Sequence, residues 1–248
     1  MKSPGRLPVA LLTLAALLPA TSAHALDGSV DLSVQSAYIW RGMVVDDKPV
    51  FQPSITVSDG GLSASVWGNL NLTADNGYKG EASEMDYWLA YTLAGKDVDW
   101  TLTYYAYTFP HTMSVSTQEV WANVTFKNVP FAPSFTAIRD VNAVKGWYFL
   151  LTGSQNLGVL TTNASDGLLL TLNVGHGNEK YTRAYFPQLH RESATDFGVR
   201  LDWPLKMGPG TLKLGVGYTN FTDADVSTPG FEDERANVVV GLVYSLAF

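Results

Sequence analysis

Two carboxylates stand two residues apart in Glu84-Met85-Asp86, a spacing that puts both on one face of an extended strand. Paired acids can do general acid/base work. The chain beyond its first 25 residues also holds three histidines, His111, His176 and His190. A serine nucleophile needs such a histidine within hydrogen-bond reach and a third group to orient it. His111 precedes Ser114 and Ser116, and His176 precedes Asn178, yet none of these groupings repeats a known nucleophile and base arrangement. Structural pairing is therefore the expectation for Glu84 and Asp86, and no catalytic residue is assigned. Asp223, Asp225, Ser227 and Glu234 occupy positions 1, 3, 5 and 12 of a calcium-loop spacing. Thr228 replaces the glycine that such a loop requires, so neither a metal site nor a cofactor is expected.

The elements that carry these residues follow from composition and period. Lys2 and Arg6, the apolar run Val9 to Leu18 and the small-x-small end Ala23-His24-Ala25 read as a signal peptide over residues 1–25. Removing it leaves 14 basic against 23 acidic residues, a formal charge of -9. That balance argues against a nucleic-acid partner. With no cysteine in the chain, a disulfide framework and a lipid-modified cysteine are both excluded. Hydrophobic residues make up 46% and charged residues only 16%, against about 25% charge in a typical soluble domain. No apolar run after the signal is long enough for a membrane helix.

The apolar residues recur with period two. Val238, Val240, Leu242, Tyr244, Leu246 and Phe248 share one face, while Gly241 and Ser245 share the other. About twelve such segments are expected, at 28–40, 49–58, 62–73, 83–94, 98–109, 117–127, 131–141, 146–157, 166–176, 194–205, 210–221 and 235–248. Tight turns at 59–61, 95–97, 128–130 and 207–209 alternate with longer polar loops at 41–48, 74–82, 110–116, 177–193 and 222–234. The alternation fades between Gly153 and Asp166, and Arg139 shares a face with Phe135 and Ala137, which calls for a bulge or an early strand end. An exported chain of this kind fits an all-β transmembrane antiparallel β-barrel of about 12 strands, with 10 to 14 as the range, spanning residues 26–248. In hydrocarbon the sheet has to close on itself, so the strand ending at Phe248 is expected to pair with the first. Trp40, Trp100, Trp147, Trp203 and Phe248 would suit interfacial girdles. A soluble β-sandwich or lipocalin-like barrel would have to bury a face rich in Ser, Thr, Asn and charge.

In this register almost every strand charge falls on the polar face: Asp31, Glu84, Asp86, Asp99, Glu119, Asp196 and Asp202 against Arg41, Lys127, Arg200 and Lys213. Mutual pairing is the plain reading of each, and the acidic excess would make a water-filled lumen mildly cation-preferring. Small inward residues such as Ser54, Ser65, Thr101, Gly215 and Gly241 favour a narrow pore over a filled interior. Loop 177–193 is long enough to fold inward, with a solvated surface loop as the plainer expectation.

The stretch VQSAYIWRGMVVDDKPVFQPSITVS, then GLSASVWGNLNL, resembles the opening of the TorF-type porin family of bacterial outer-membrane β-barrel proteins. The resemblance rests on Ser36, Tyr38, Arg41 and Gly42, on Gln52, on Trp67-Gly68, on Glu84-Met85-Asp86-Tyr87, and on Tyr105, Tyr107 and Glu119. Ala37 stands where an acid is common in that family. The resemblance implies an outer-membrane barrel of porin type with its substrate unassigned; together with the register it leads to Arg41, Gln52, Trp67, Glu84, Asp86, Glu119, Asp196 and Arg200 as the expected lumen-lining residues. Arg41 is expected to pair with Glu84 or Asp86 near the outer mouth. The expected function is a porin-like channel of the Gram-negative outer membrane for passive diffusion of small hydrophilic solutes. The alternative is a non-conducting structural or adhesion barrel acting through its extracellular loops. Expected partners are outer-membrane lipid and lipopolysaccharide, small hydrophilic solutes, and the barrel assembly machinery, through the C-terminal strand that ends in Phe248.

Overall fold

A computed structural model describes residues 26–75, 79–112, 114–159, 167–222 and 237–248. Residues 1–25, expected to be a signal peptide, the acidic stretch from Asp223 to Glu234 and part of the fading segment, 160–166, lie outside the described residues.

In chain order the elements are β1 (Asp27–Gln35), β2 (Tyr38–Trp40), β3 (Met43–Asp46), β4 (Val50–Asp59), β5 (Leu62–Asn71), β6 (Ala82–Ala94), β7 (Val98–Thr108), β8 (Thr117–Phe126), β9 (Ser134–Asp140), β10 (Trp147–Asn156), β11 (Leu169–Gly177), α1 (Glu179–Tyr185), β12 (Ala194–Met207), β13 (Gly210–Phe221) and β14 (Val238–Ala247). Twelve of the strands, β1 and β4 to β14, pair antiparallel with their sequence neighbours into a closed barrel, while β2 and β3 form a separate two-stranded sheet. Closure runs from Ser29 opposite Ala247 to Gln35 opposite Gly241. Gly28 and Phe248 then exchange both backbone hydrogen bonds, at 2.8 and 2.9 Å.

Burial is inverted relative to a water-soluble domain. Leu102 is 59% and Val240 57% exposed, whereas Glu119 is 0% and Asp196 1% exposed. Side chains alternate across each strand, so one face of the closed sheet carries the apolar band and the other the charges. A band of this kind requires hydrocarbon around it. Short connections and both ends of the barrel chain, Asp27 and Ala247, lie at one end; the loop end carries the segments between β1 and β4 and between β11 and β12.

Three expectations need correction. The first strand stops at Gln35 instead of reaching residue 40, because the chain leaves the wall and folds inward as the β2–β3 hairpin. Trp40 consequently sits inside, with ring centroids 5.4 to 6.4 Å from Tyr107, Tyr181, Tyr185 and Phe186, and not in a girdle. Around Arg139, where a bulge or an early strand end was expected, the early end is found and there is no bulge, since β9 pairs in unbroken register with both β8 and β10. The strand ends one residue later, at Asp140, and the guanidinium lies 5.0 Å over the outward Trp147 ring, a rim arrangement that keeps its charge near water. Finally, loop 177–193 folds inward: Tyr181, Thr182, Phe186 and Leu189 are buried.

The local sequence accounts for both inward segments. Arg41 and Gly42 form the two-residue turn between Trp40 and Met43 and both have positive φ, 49° and 81°, the backbone that matches strand twist in tight hairpins. In the other loop the Asn178 side chain accepts the Tyr181 N–H at 3.2 Å and caps α1. Glu179 and Arg183 pair on its outer side at 3.1 Å, and its inner side presents Tyr181 and Tyr185 to the lumen. Gly146 lets the helix approach, because a Cβ there would lie 2.6 Å from the Tyr181 nitrogen.

Candidate functional site

The two inward segments meet at one buried ion pair. The hairpin carries Arg41 across the lumen from β1 to the opposite wall, where its guanidinium forks onto the Glu119 carboxylate at 3.0 and 2.9 Å. Glu119 also accepts the Tyr107 hydroxyl at 2.8 Å, the Trp121 indole N–H at 2.8 Å and the Tyr181 hydroxyl at 3.1 Å. Arg41 is hydrogen-bonded to the Tyr181 hydroxyl as well. Its guanidinium carbon lies 4.5 Å from the Tyr148 ring centroid and 4.6 Å from that of Trp40. Burial works against the charge, but Glu119 outweighs it and holds the arginine above its ordinary range. Both Glu119 oxygens and both terminal guanidinium nitrogens have partners, which a buried pair needs in order to repay desolvation.

Around this centre the hairpin tip and the α1 loop fill the upper lumen. Ile138, Tyr148, Tyr181, Phe186, Leu189, Ala194 and Phe221 form one apolar cluster, with Trp40, Met43 and Trp121 against it. Small wall residues make this possible. A Cβ at Gly42 would come 2.7 Å from the Asp196 Cβ, and one at Gly175 would overlap the Tyr148 ring. The end of the lumen away from the loops instead carries small residues read from the sequence, among them Ser65 and Thr101, hydrogen-bonded to Thr56 and Thr92 at 2.8 and 2.9 Å. Small inward residues thus also make room for the loops in the upper lumen.

The hairpin divides the remaining upper space by its own alternation. Ala37 and Ile39 face a cavity of about 300 Å³ bounded by Gln35, Gln52, Asn173, Arg200 and Thr219. Tyr38 and Trp40 face another, of about 370 Å³, bounded by Glu84, Tyr107, Phe109 and Tyr185.

No protein-family model and no curated protein sequence matches the chain. Solved structures do. The KdgM porin is similar over 89% of this chain and 99% of its own, with a TM-score of 0.56 at 9% identity. A second structure, KdgM in complex with disordered oligogalacturonate, gives 0.55 at 8% identity over 90% and 99%. The NanC porin gives 0.50 at 11% identity over 90% and 98%. The fold is that of a porin. At these identities the likeness concerns architecture, and the chemistry of the lumen has to be read from the residues of this chain.

All eight residues singled out in the sequence point inward or sit in the lumen, but not in the expected pairs. Arg41 meets Glu119 and neither Glu84 nor Asp86, because the hairpin turns it across the barrel and not along the wall. Glu84 lies against Asp86 and the Tyr38 hydroxyl, and Asp86 accepts the Tyr105 hydroxyl at 2.9 Å. Trp67 stacks obliquely on Tyr38 at 5.7 Å. Gln52 donates to the Asn69 side chain at 2.9 Å. Asp196 accepts the Tyr148 hydroxyl at 2.6 Å, and Arg200 pairs with Asp202 at 2.9 Å. Plain pairing therefore describes Arg41, Arg200 and Asp99, the last bound to Lys127 at 2.9 Å. Among the described residues no ion pair reaches Glu84, Asp86 or Asp196, and one carboxylate oxygen each of Asp86 and Asp196 is buried without a hydrogen-bond partner.

Several participants were not singled out. Trp121, Tyr148 and Asp140 are the main ones. Asp140 accepts Thr117 and Tyr185 hydroxyls at 2.7 and 2.5 Å and three backbone N–H groups of the loop that follows it. An acid at the last inward position of a strand, followed by Asn142, was the available signal. The histidines stand apart from all of this: His111 is exposed beside Glu81 at 3.5 Å, His176 is on the outward face against Thr195, and His190 is exposed.

Proposed function

We propose that the protein is a porin-type channel of the bacterial outer membrane that passes small hydrophilic solutes with a mild preference for cations, and that it has no catalytic activity. The carrying observation is the closed barrel whose apolar side chains face out while Glu84, Asp86 and Asp196 face in without basic partners among the described residues. Uncompensated carboxylates in a low-dielectric channel raise the local cation concentration. The hairpin turn at Arg41-Gly42 and the Tyr107–Glu119 contact give a structural sense to the motif shared with TorF-type porins, and membership in that family is part of the proposal. Lipid and lipopolysaccharide are the surroundings that the outward band suits, and the C-terminal strand ending in Phe248 is the proposed handle for the assembly machinery.

A second reading draws on the inward loops. Because the α1 segment and the hairpin pack tightly around Arg41, the barrel could be a closed structural or adhesion module. Single-channel recording of the refolded mature protein in a planar bilayer under a salt gradient separates the two. Discrete steps with a reversal potential on the cation side support the channel. Silence from a barrel verified as folded supports the closed module, and steps with anion preference overturn the role given to the three acids.

A further inference from the structure

The cavity on the Tyr38 side of the hairpin has a chemical character that the channel reading does not use. It measures about 370 Å³ and is walled by Tyr38, Trp40, Tyr107, Phe109 and Tyr185, with Glu84 in its lining. Glu84 also lines an adjoining cavity of about 250 Å³ that reaches Asn69, Asn71 and Ser83. Its side chain is buried, and among the described residues no basic group pairs with it. The buried cation of the upper lumen, Arg41, is paired with Glu119. Beyond Glu84, Asp86 lies against it and is likewise without a basic partner among the described residues.

We propose that this vestibule is a binding site for a compact organic cation, one protonated amine or quaternary ammonium on a small apolar body. Aromatic rings attract a cation through their quadrupole and do so most strongly when the site is shielded from water. A buried carboxylate lacking a counter-charge supplies the second attraction and excludes anions. An inorganic ion would keep its water and gain nothing from Val115, Val144 and Ala184, which complete the wall. A neutral solute would leave Glu84 uncompensated. The inference names a solute class for the proposed channel and rests on that reading for transport alone; binding is measured without it.

The test is calorimetric titration of the refolded, detergent-solubilised full barrel with choline and with 3,3-dimethyl-1-butanol, its uncharged isostere, at constant ionic strength. Choline is expected to bind saturably and about tenfold or more tightly than the alcohol, the ratio a shielded cation–aromatic and carboxylate site supplies. Glu84→Gln should abolish that preference. Val115 is 75% exposed at the cavity wall, so Val115→Lys and Val115→Glu change its charge without touching the interior; the first should weaken choline binding and the second strengthen it. Equal binding of choline and the alcohol, absence of saturable choline binding, or indifference to both Val115 substitutions would each overturn the site. A barrel that binds choline but carries no current keeps the site and removes the channel; one that conducts without binding does the reverse.

Discussion

Arg41 and Glu119 lie 78 residues apart in the chain and meet because a two-residue turn aims one at the wall that holds the other. Removing either charge strands its partner inside the lumen. Arg41→Ala should therefore destabilise the barrel by about 3–5 kcal/mol, the cost of an unpaired buried charge, read from the urea midpoint of the detergent-refolded protein. Arg41→Lys keeps the charge but loses the fork, so its midpoint should fall between the two. If Arg41→Ala unfolds with the wild-type midpoint, the pair does not hold the loops. Gly42→Ala tests the turn itself. With φ at 81° and Asp196 2.7 Å from the added Cβ, it should cost at least about 1–2 kcal/mol from the backbone alone. Tyr181→Phe keeps the ring and deletes one donor to the buried carboxylate, for a loss of about 1.5–3 kcal/mol.

At the scale of elements, the barrel strands were legible because each side chain had one of two places to go. Segments such as 62–73 and 210–221 announced themselves by alternation, and the structure has β5 at Leu62–Asn71 and β13 at Gly210–Phe221. The inward hairpin was not legible as such. Residues 28–40 alternate well enough to be one strand, and the break after Gln35 is set by what Arg41 reaches at the far wall, a partner that no local period reveals. The α1 segment is similar: Tyr181, Tyr185 and Phe186 in a loop of mixed charge suit a solvated loop until the barrel offers them a lumen with Gly146 and Gly175 in its wall. Replacing residues 179–190 by a short Gly-Ser linker should raise single-channel conductance while the barrel still folds, because strands β11 and β12 pair without the helix. Unchanged conductance would mean that the passage is set elsewhere, with the β2–β3 hairpin the next element to remove.

For the whole molecule, the decisive property is that its two faces exchange the usual roles. Leu102 lies near the middle of β7 and points outward. Leu102→Arg should cost about 2–4 kcal/mol if that position sits at the bilayer midplane, measured by refolding into lipid vesicles. A water-surrounded barrel would tolerate the change, so a neutral result would remove the membrane from the account. The sequence by itself determined the architecture, the inward side of almost every strand charge and the pairing of the last strand with the first, because these follow from a period of two and from the need to satisfy every backbone group in hydrocarbon. Tertiary structure alone decided that Arg41 meets Glu119, that two loops occupy the upper lumen, and that Glu84 faces an aromatic vestibule. Those contacts join residues far apart in the chain, and which of them form depends on which wall residues are small enough to admit a loop.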